Sequence, residues 1–210
     1  MWGTQDIAVF LAAGILLNLT PGQDTLYILG RSMAQGKRAG IFSVLGISSG
    51  ILLHTVAAAT GLSALLATSS TAYAGIRWAG AAYLAFLGAR MILGVGTPGQ
   101  GLFHGRGPVE AGRIYRQGVL TNVLNPKVAL FFLAFLPQFV DPGCAHPIMP
   151  FLLLGGLFMA TGTAWCLCLV LLSSRLTAAL RRGRWARAAQ RACGVLFVGL
   201  GLKLALEQGR

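Results

Sequence analysis

The chain has 210 residues, of which 55% are hydrophobic and only 10% charged, and its mean hydropathy is +0.70. Soluble domains carry roughly 25% charged residues, so that class is excluded. Seventeen Lys and Arg against five acids give a net charge of +12. In a chain this apolar, the excess is first a topology signal, not a nucleic-acid surface.

A helix crossing the ~30 Å hydrocarbon core needs about 20 apolar residues. The length therefore holds at most six or seven spans with short loops, and no separate catalytic domain. Continuous apolar runs at 57–66 and 128–136 exclude a β-barrel, whose strands alternate. Six spans are predicted, at 7–29, 40–66, 72–93, 118–140, 148–172 and 188–206. The first run is read as a span and not a signal peptide, because residues 1–10 hold no Lys or Arg and no A-x-A site follows.

Basic residues resist translocation, so loops rich in them stay inside. Arg31, Lys37 and Arg38 follow the first span. Arg90, Arg106, Arg113 and Arg116 flank the third loop, and Arg175, Arg181, Arg182, Arg184, Arg187 and Arg191 fill the fifth. Loops 67–71 and 141–147 contain none. The odd loops are accordingly placed inside and both termini outside, which leaves Arg77, Lys203 and Arg210 near the outer face and Lys127 within the membrane.

Residues 95–113 are rich in Gly and polar residues and lack apolar periodicity, as expected of a cytoplasmic linker. They divide the chain into halves at 1–94 and 114–210, with three spans each. Halves of odd span number that share a fold lie upside down to one another, so two inverted three-helix repeats are expected.

The first span of each half is interrupted: Asn18-Leu-Thr-Pro-Gly-Gln-Asp24 in one, Asn122-Val-Leu-Asn-Pro-Lys127 in the other. Pro21 and Pro126 each remove a helical donor, and lipid offers no substitute partner. Paired interruptions point to a transport site near the midplane, with simple proline kinks as the structural alternative. Asp24 and Lys127 stand beside the breaks. Ionised groups within a span cost roughly 2.5–3.5 kcal/mol each and usually face a bundle interior. One anion and one cation suit a zwitterion: Asp24 for an ammonium, Lys127 or free helix-end amides for a carboxylate. A salt bridge between the two is the structural alternative.

His54 lies on a stripe of small residues, Gly46, Gly50, His54, Ala57 and Gly61, which lets another helix approach. It is a candidate for proton coupling together with Asp24, or it bonds a neighbouring carbonyl. Asn18, Thr20, Gln23, Asn122, Asn125 and Gln138 could line the same cavity or satisfy broken backbone. The candidate substrate-binding set is Asn18, Thr20, Gly22, Gln23, Asp24, Asn122, Asn125 and Lys127. No cofactor is called for.

These residues resemble the LysE/RhtB family of amino-acid exporters. The similarity lies in the first-span segment 18–27, the loop 35–40 (Gln-Gly-Lys-Arg-Ala-Gly), segments 46–54 and 60–66 of the second span, 78–84 of the third, and Asn125-Pro-Lys with 135–141 in the fourth. It implies an inner-membrane exporter of amino acids, neutral ones of the threonine, homoserine or leucine type or basic ones. It also implies proton-gradient drive by antiport and a homodimer. The chain departs from the family at Gln23, where a second proline is common, and Asp24 stands where members have Asn or Asp. On this reading the halves rock about a midplane site, and a proton entering from outside neutralises Asp24 and releases the substrate ammonium.

Other classes fit less well. Thiol electron transfer needs cysteines that can meet, whereas Cys166 and Cys168 are about 200° apart around a helix. Cys166, Cys168 and Cys193 read as apolar fillers and Cys144 as an exposed outer-loop thiol. His54, His104 and His146 fall in different layers, so no metal site is expected. An intramembrane enzyme would need a nucleophile with a base or paired carboxylates, and Asp24 is alone. The stretch 175–191, with Arg175, Arg181, Arg182, Arg184 and Arg187 around Trp185, is read as an anchor on anionic headgroups, not a nucleic-acid site.

Overall fold

The computed structural model describes residues 3–64, 110–141, 144, 146 and 148–180, with only the backbone described from 174 onward, together with isolated helical positions between 75 and 93 and between 191 and 202. Its named helices are α1 (Ile7–Leu19), α2 (Gln23–Gln35), α3 (Lys37–Ala57), α4 (Ala111–Val123), α5 (Pro126–Leu130) and α6 (Ile148–Leu180). A π-helical turn, Ala58–Leu62, prolongs α3. A second, Phe131–Phe135, and a 3-10 turn, Leu136–Phe139, prolong α5.

Among the described residues there are two candidate membrane spans, or four if each of two bent helix pairs is one span. Lys37–Leu62 and Ile148–Ser173 are long and apolar enough to cross unbroken, while α1 with α2 and α4 with the segment Pro126–Phe139 are bent pairs at 47° and 48°. Most of the predicted third and sixth spans lies outside the described residues. So do Arg181, Arg182, Arg184 and Arg187, and so does the side chain of Arg175.

The observed helices run further than apolar content alone predicts. The first span continues to Gln35 rather than residue 29, so Arg31 sits on α2 and not in a loop. The fourth begins at Ala111 rather than 118, which places Arg113 and Arg116 on α4. Hydropathy marks only the lipid-depth part of a helix, and polar turns at its ends hydrogen-bond just as well.

Both breaks follow from proline, by different local means. At Pro126 the break is a well-formed helix start, with proline in the first turn and the Asn125 side chain accepting from the Lys127 N–H at 3.1 Å. At Pro21 the following helix is capped only by the extended backbone of Gly22. A single residue, Gly36, reverses the chain between α2 and α3; its φ of +85° is open to glycine and strained for other residues.

Small residues set the packing. A Cβ on Gly46 would run into the Tyr115 carbonyl oxygen and come 3.0 Å from the Gly118 Cα, so the α3 and α4 backbones touch, as small-residue interfaces allow. Gly155 on α6 receives the Thr55 side chain of α3, and Ser48 meets Thr163 at 2.8 Å. The expected stripe holds for Gly46, Gly50 and His54 and then fails. Ala57 is exposed and a Cβ on Gly61 would have no atom within 4 Å, because α4 ends at Val123, level with Gly50 and His54, and the π turn Ala58–Leu62 then shifts the helical phase. The central core is aromatic: Phe10 stands 5.6 Å from Phe131 and 5.4 Å from Phe139, and Phe131 stacks on Phe158 at 4.4 Å. At the end of α1, residues 3–5 form a short antiparallel bridge with residues 139–141. Cys144 packs against Gly3 and is half-buried, not the freely exposed thiol expected.

Candidate functional site

In an unbroken helix the Leu17 carbonyl would accept the N–H of residue 21, and the Asn122 carbonyl that of residue 126. Both positions are proline, so both carbonyls lose their helical donor. Each finds a basic side chain from the other half of the sequence. Lys127 Nζ donates to Leu17 O at 3.1 Å and to Thr20 O at 3.0 Å. His54 Nε2 lies 3.3 Å from Asn122 O, and its ring stacks on Phe132 at 5.6 Å. Local i to i−3 contacts assist at both breaks, Thr20 N to Leu17 O at 3.2 Å and Asn125 N to Asn122 O at 2.9 Å. The second interruption thus completes the first, and α3 completes the second.

Asp24 sits in the first turn of α2, where the helix N-terminus favours an anion. Asn122 Nδ2 donates to its Oδ2 at 2.9 Å, whereas Oδ1 is buried without a hydrogen bond. Lys127 and His54 are the ionisable basic groups that act on it electrostatically. Asn122 is itself fixed from behind: a Cβ on Gly50 would lie 2.7 Å from both its Cβ and its Oδ1. Glycine at 50 is therefore what admits the side chain that holds Asp24.

Beside Asp24 is a cavity of about 20 Å³ lined by Leu17, Asn18, Asp24, Thr25, Ile47, Ile51, Lys127, Val128, Phe158, Gly162, Trp165 and Cys166. It has room for roughly one or two waters and none for an amino acid. The site is thus contracted. On one side the aromatic cluster of Phe131 and Phe158 closes it. Further along α2, Tyr27 Oη donates to Ile114 O at 2.6 Å, and Arg31 bridges Gln35 of its own helix and Gln117 of α4.

Of the residues expected from sequence, Asn18, Asp24 and Lys127 line the cavity. Gly22, Asn122 and Asn125 stand just behind: a Cβ on Gly22 would approach Lys127 Nζ to 3.1 Å, and Asn125 caps α5. Thr20 turns back to bond Leu16 O at 2.8 Å, and Gln138 does the same to Ala134 O at 2.9 Å, so both serve their own helices. Gln23 opens α2. His54 lies behind Asn122 rather than on the cavity wall. Cys166, expected as a plain filler, is a wall residue, while Cys168 is exposed on another face of the same helix.

Sequence reasoning missed the α6 wall: Phe158, Gly162, Trp165 and Cys166. Their spacing marks one helix face, but in an apolar span every face looks alike. The usable signal was Trp165, which lies well inside the span, whereas tryptophan favours membrane interfaces. Among the described residues no cluster of three or more His, Cys, Asp or Glu could hold a metal.

A sequence model described as LysE type translocator matches residues 15–208. An uncharacterized membrane protein of Pseudomonas aeruginosa is 32% identical over 97% of this chain and 96% of its own length. A leucine efflux protein of Salmonella typhimurium is 26% identical over 99% and 98% respectively. A homoserine/homoserine lactone efflux protein of the same organism is 28% identical over 93% and 94%. No solved structure matches. With the family match extending over nearly the whole length, the chain belongs to the LysE type translocators.

Proposed function

We propose that this translocator exports a small amino acid, neutral like leucine or homoserine or else basic, across the bacterial inner membrane in exchange for protons. The observation that carries the reading is the meeting of the two helix breaks around a contracted cavity, with the Asp24 carboxylate on its wall. A buried carboxylate held at 2.9 Å by Asn122 through one oxygen, with no close hydrogen bond to the other, is a receptor for an ammonium group.

In this mechanism the two halves, 1–94 and 114–210, are inverted repeats joined by the cytoplasmic linker 95–113, and they rock about the breaks with both termini outside. Substrate enters from the cytoplasm with its ammonium on Asp24. A proton from outside then neutralises the carboxylate, in the presence of Lys127 and His54, and the ammonium is released. Lys127 keeps the broken end of α1 closed by holding its carbonyls. Arg175, Arg181, Arg182, Arg184 and Arg187 rest on anionic headgroups, and two copies associate as a homodimer.

The test is efflux of a panel of labelled amino acids from cells making the protein, with and without an uncoupler, and with Asp24→Asn. Accelerated efflux that stops with uncoupler and in Asp24→Asn is expected. Gradient-driven export by Asp24→Asn would overturn the assignment of the proton to Asp24. Failure to move any amino acid would shift the cargo to another small metabolite.

A further inference from the structure

Around the cavity, Asp24 Oδ1, Asn122 Oδ1, Asn125 Nδ2 and Trp165 Nε1 are buried without a close hydrogen bond; the Asn125 side chain acts on Asp24 as a hydrogen-bonding partner, whereas nothing answers the Trp165 N–H. A buried group left unpaired costs free energy comparable to a lost hydrogen bond, so each needs an explanation. Asp24 supplies an acceptor; Asn125 Nδ2 and the Trp165 indole supply donors only. Of these residues only Asp24 and Trp165 stand on the cavity wall, and an acceptor with a donor on one wall is the complement of a zwitterion, an ammonium at one end and a carboxylate at the other.

Lys127 is the obvious carboxylate partner by charge, but its ammonium already holds Leu17 O and Thr20 O across the break. Moving it onto substrate would leave those carbonyls without a donor in the membrane interior. Trp165 carries no such duty. Its ring forms part of the cavity wall with Asp24, and it comes from α6, an element outside both breaks.

We propose that Trp165 is a substrate-binding residue, and that its indole N–H anchors the substrate carboxylate while Asp24 takes the ammonium. The inference rests on the amino-acid export reading above. In the contracted site the N–H has no acceptor, and widening the cavity to admit substrate supplies one. An indole stays neutral, so this anchor binds a carboxylate without altering the charge balance around Asp24. With two fixed points on the backbone of the amino acid, the substrate side chain is left to the apolar wall of Ile47, Ile51 and Phe158.

The experiment measures counterflow of labelled L-leucine or L-homoserine, whichever the wild type moves, in proteoliposomes containing wild type or Trp165→Phe. The substitution keeps an aromatic ring and removes the N–H. KM is expected to rise about tenfold or more, with the maximal rate within about twofold. An unchanged KM, or a fall in rate alone, overturns the inference. In parallel, wild-type protein labelled with 15N-tryptophan, whose four indoles are assigned by substituting the other three in turn, is titrated with the same substrate. A downfield shift of the Trp165 N–H is expected. No such shift overturns the inference even where Trp165→Phe fails to fold, and a shift absent despite a raised KM assigns the ring a shaping role only. A wild type that moves no amino acid defeats the export reading itself, a result distinct from an unaffected Trp165→Phe.

Discussion

Lys127→Met tests whether the two breaks depend on one another. Methionine keeps most of the stem and removes the ammonium, so Leu17 O and Thr20 O lose donors at 3.1 and 3.0 Å. Hydrogen bonds to a charged group contribute about 1.5–3 kcal/mol each, so the gross loss is about 3–6 kcal/mol. Two effects offset part of it. Leu17 O keeps the Thr20 N–H at 3.2 Å, and the variant no longer desolvates an ammonium. A net loss of about 2–4 kcal/mol is expected, which at about 2–4 °C per kcal/mol for a chain of this size lowers Tm by roughly 4–16 °C. Thermal unfolding of purified protein in detergent, followed by loss of monodispersity, provides the measurement. A Tm within about 2 °C of wild type would show that the lysine is not what secures the broken end of α1.

His54→Phe retains the stack on Phe132 and removes the side-chain partner of Asn122 O, which keeps the Asn125 N–H at 2.9 Å. It is expected to cost about 1 kcal/mol while leaving export gradient-driven, and export by the variant that ignores the gradient would return His54 to the proton path. Gly50→Ala forces Asn122 aside, since its Cβ would stand 2.7 Å away. It is expected to cost about 1–3 kcal/mol and to impair export, whereas Gly61→Ala, with nothing nearby, is expected to do neither; equal behaviour of the two would refute the packing argument. Combining Tyr27→Phe with Arg31→Ala removes the α2 to α4 hydrogen bonds that lie beyond the cavity. Faster alkylation of Cys166 is expected in a chain whose other cysteines are serine, and an unchanged rate would show that these bonds do not close the site.

Much of the site could be read from sequence because proline is a local signal. Pro21 and Pro126 each fix, without any tertiary knowledge, which carbonyl is orphaned and that something must replace the lost donor. Asp24 and Lys127 were conspicuous for the same reason, since charge within an apolar run has few innocent explanations. Sequence could not say which side chain would answer which carbonyl. That Lys127 serves Leu17 and His54 serves Asn122 is a relation between helices far apart along the chain, and a salt bridge between Asp24 and Lys127 fitted the same charges. The α6 wall was hidden for a different reason. Phe158, Gly162 and Cys166 differ little from neighbours that face away, because a span surrounded by lipid and protein is apolar all round. The stripe on α3 misled beyond His54 because periodicity cannot tell where the partner helix ends, and α4 stops at Val123; after Ala57 the π turn at Ala58–Leu62 also shifts the phase.

The length of α6 has a mechanical consequence. Thirty-three residues make a rod of about 50 Å, against a hydrocarbon core of ~30 Å. The apolar span of this helix ends at Ser173, so its last seven residues, 174–180, continue for about 10 Å beyond that span. Since Gly162, Trp165 and Cys166 are fixed on this rod, widening the cavity by moving α6 is not a local event. A tilt of roughly 10° about the middle of the Ile148–Ser173 span sweeps the far end of the helix through about 5 Å. The helix acts as a cantilever that amplifies a small displacement at the site into a larger one in the headgroup layer, where an optical or spin reporter can follow it.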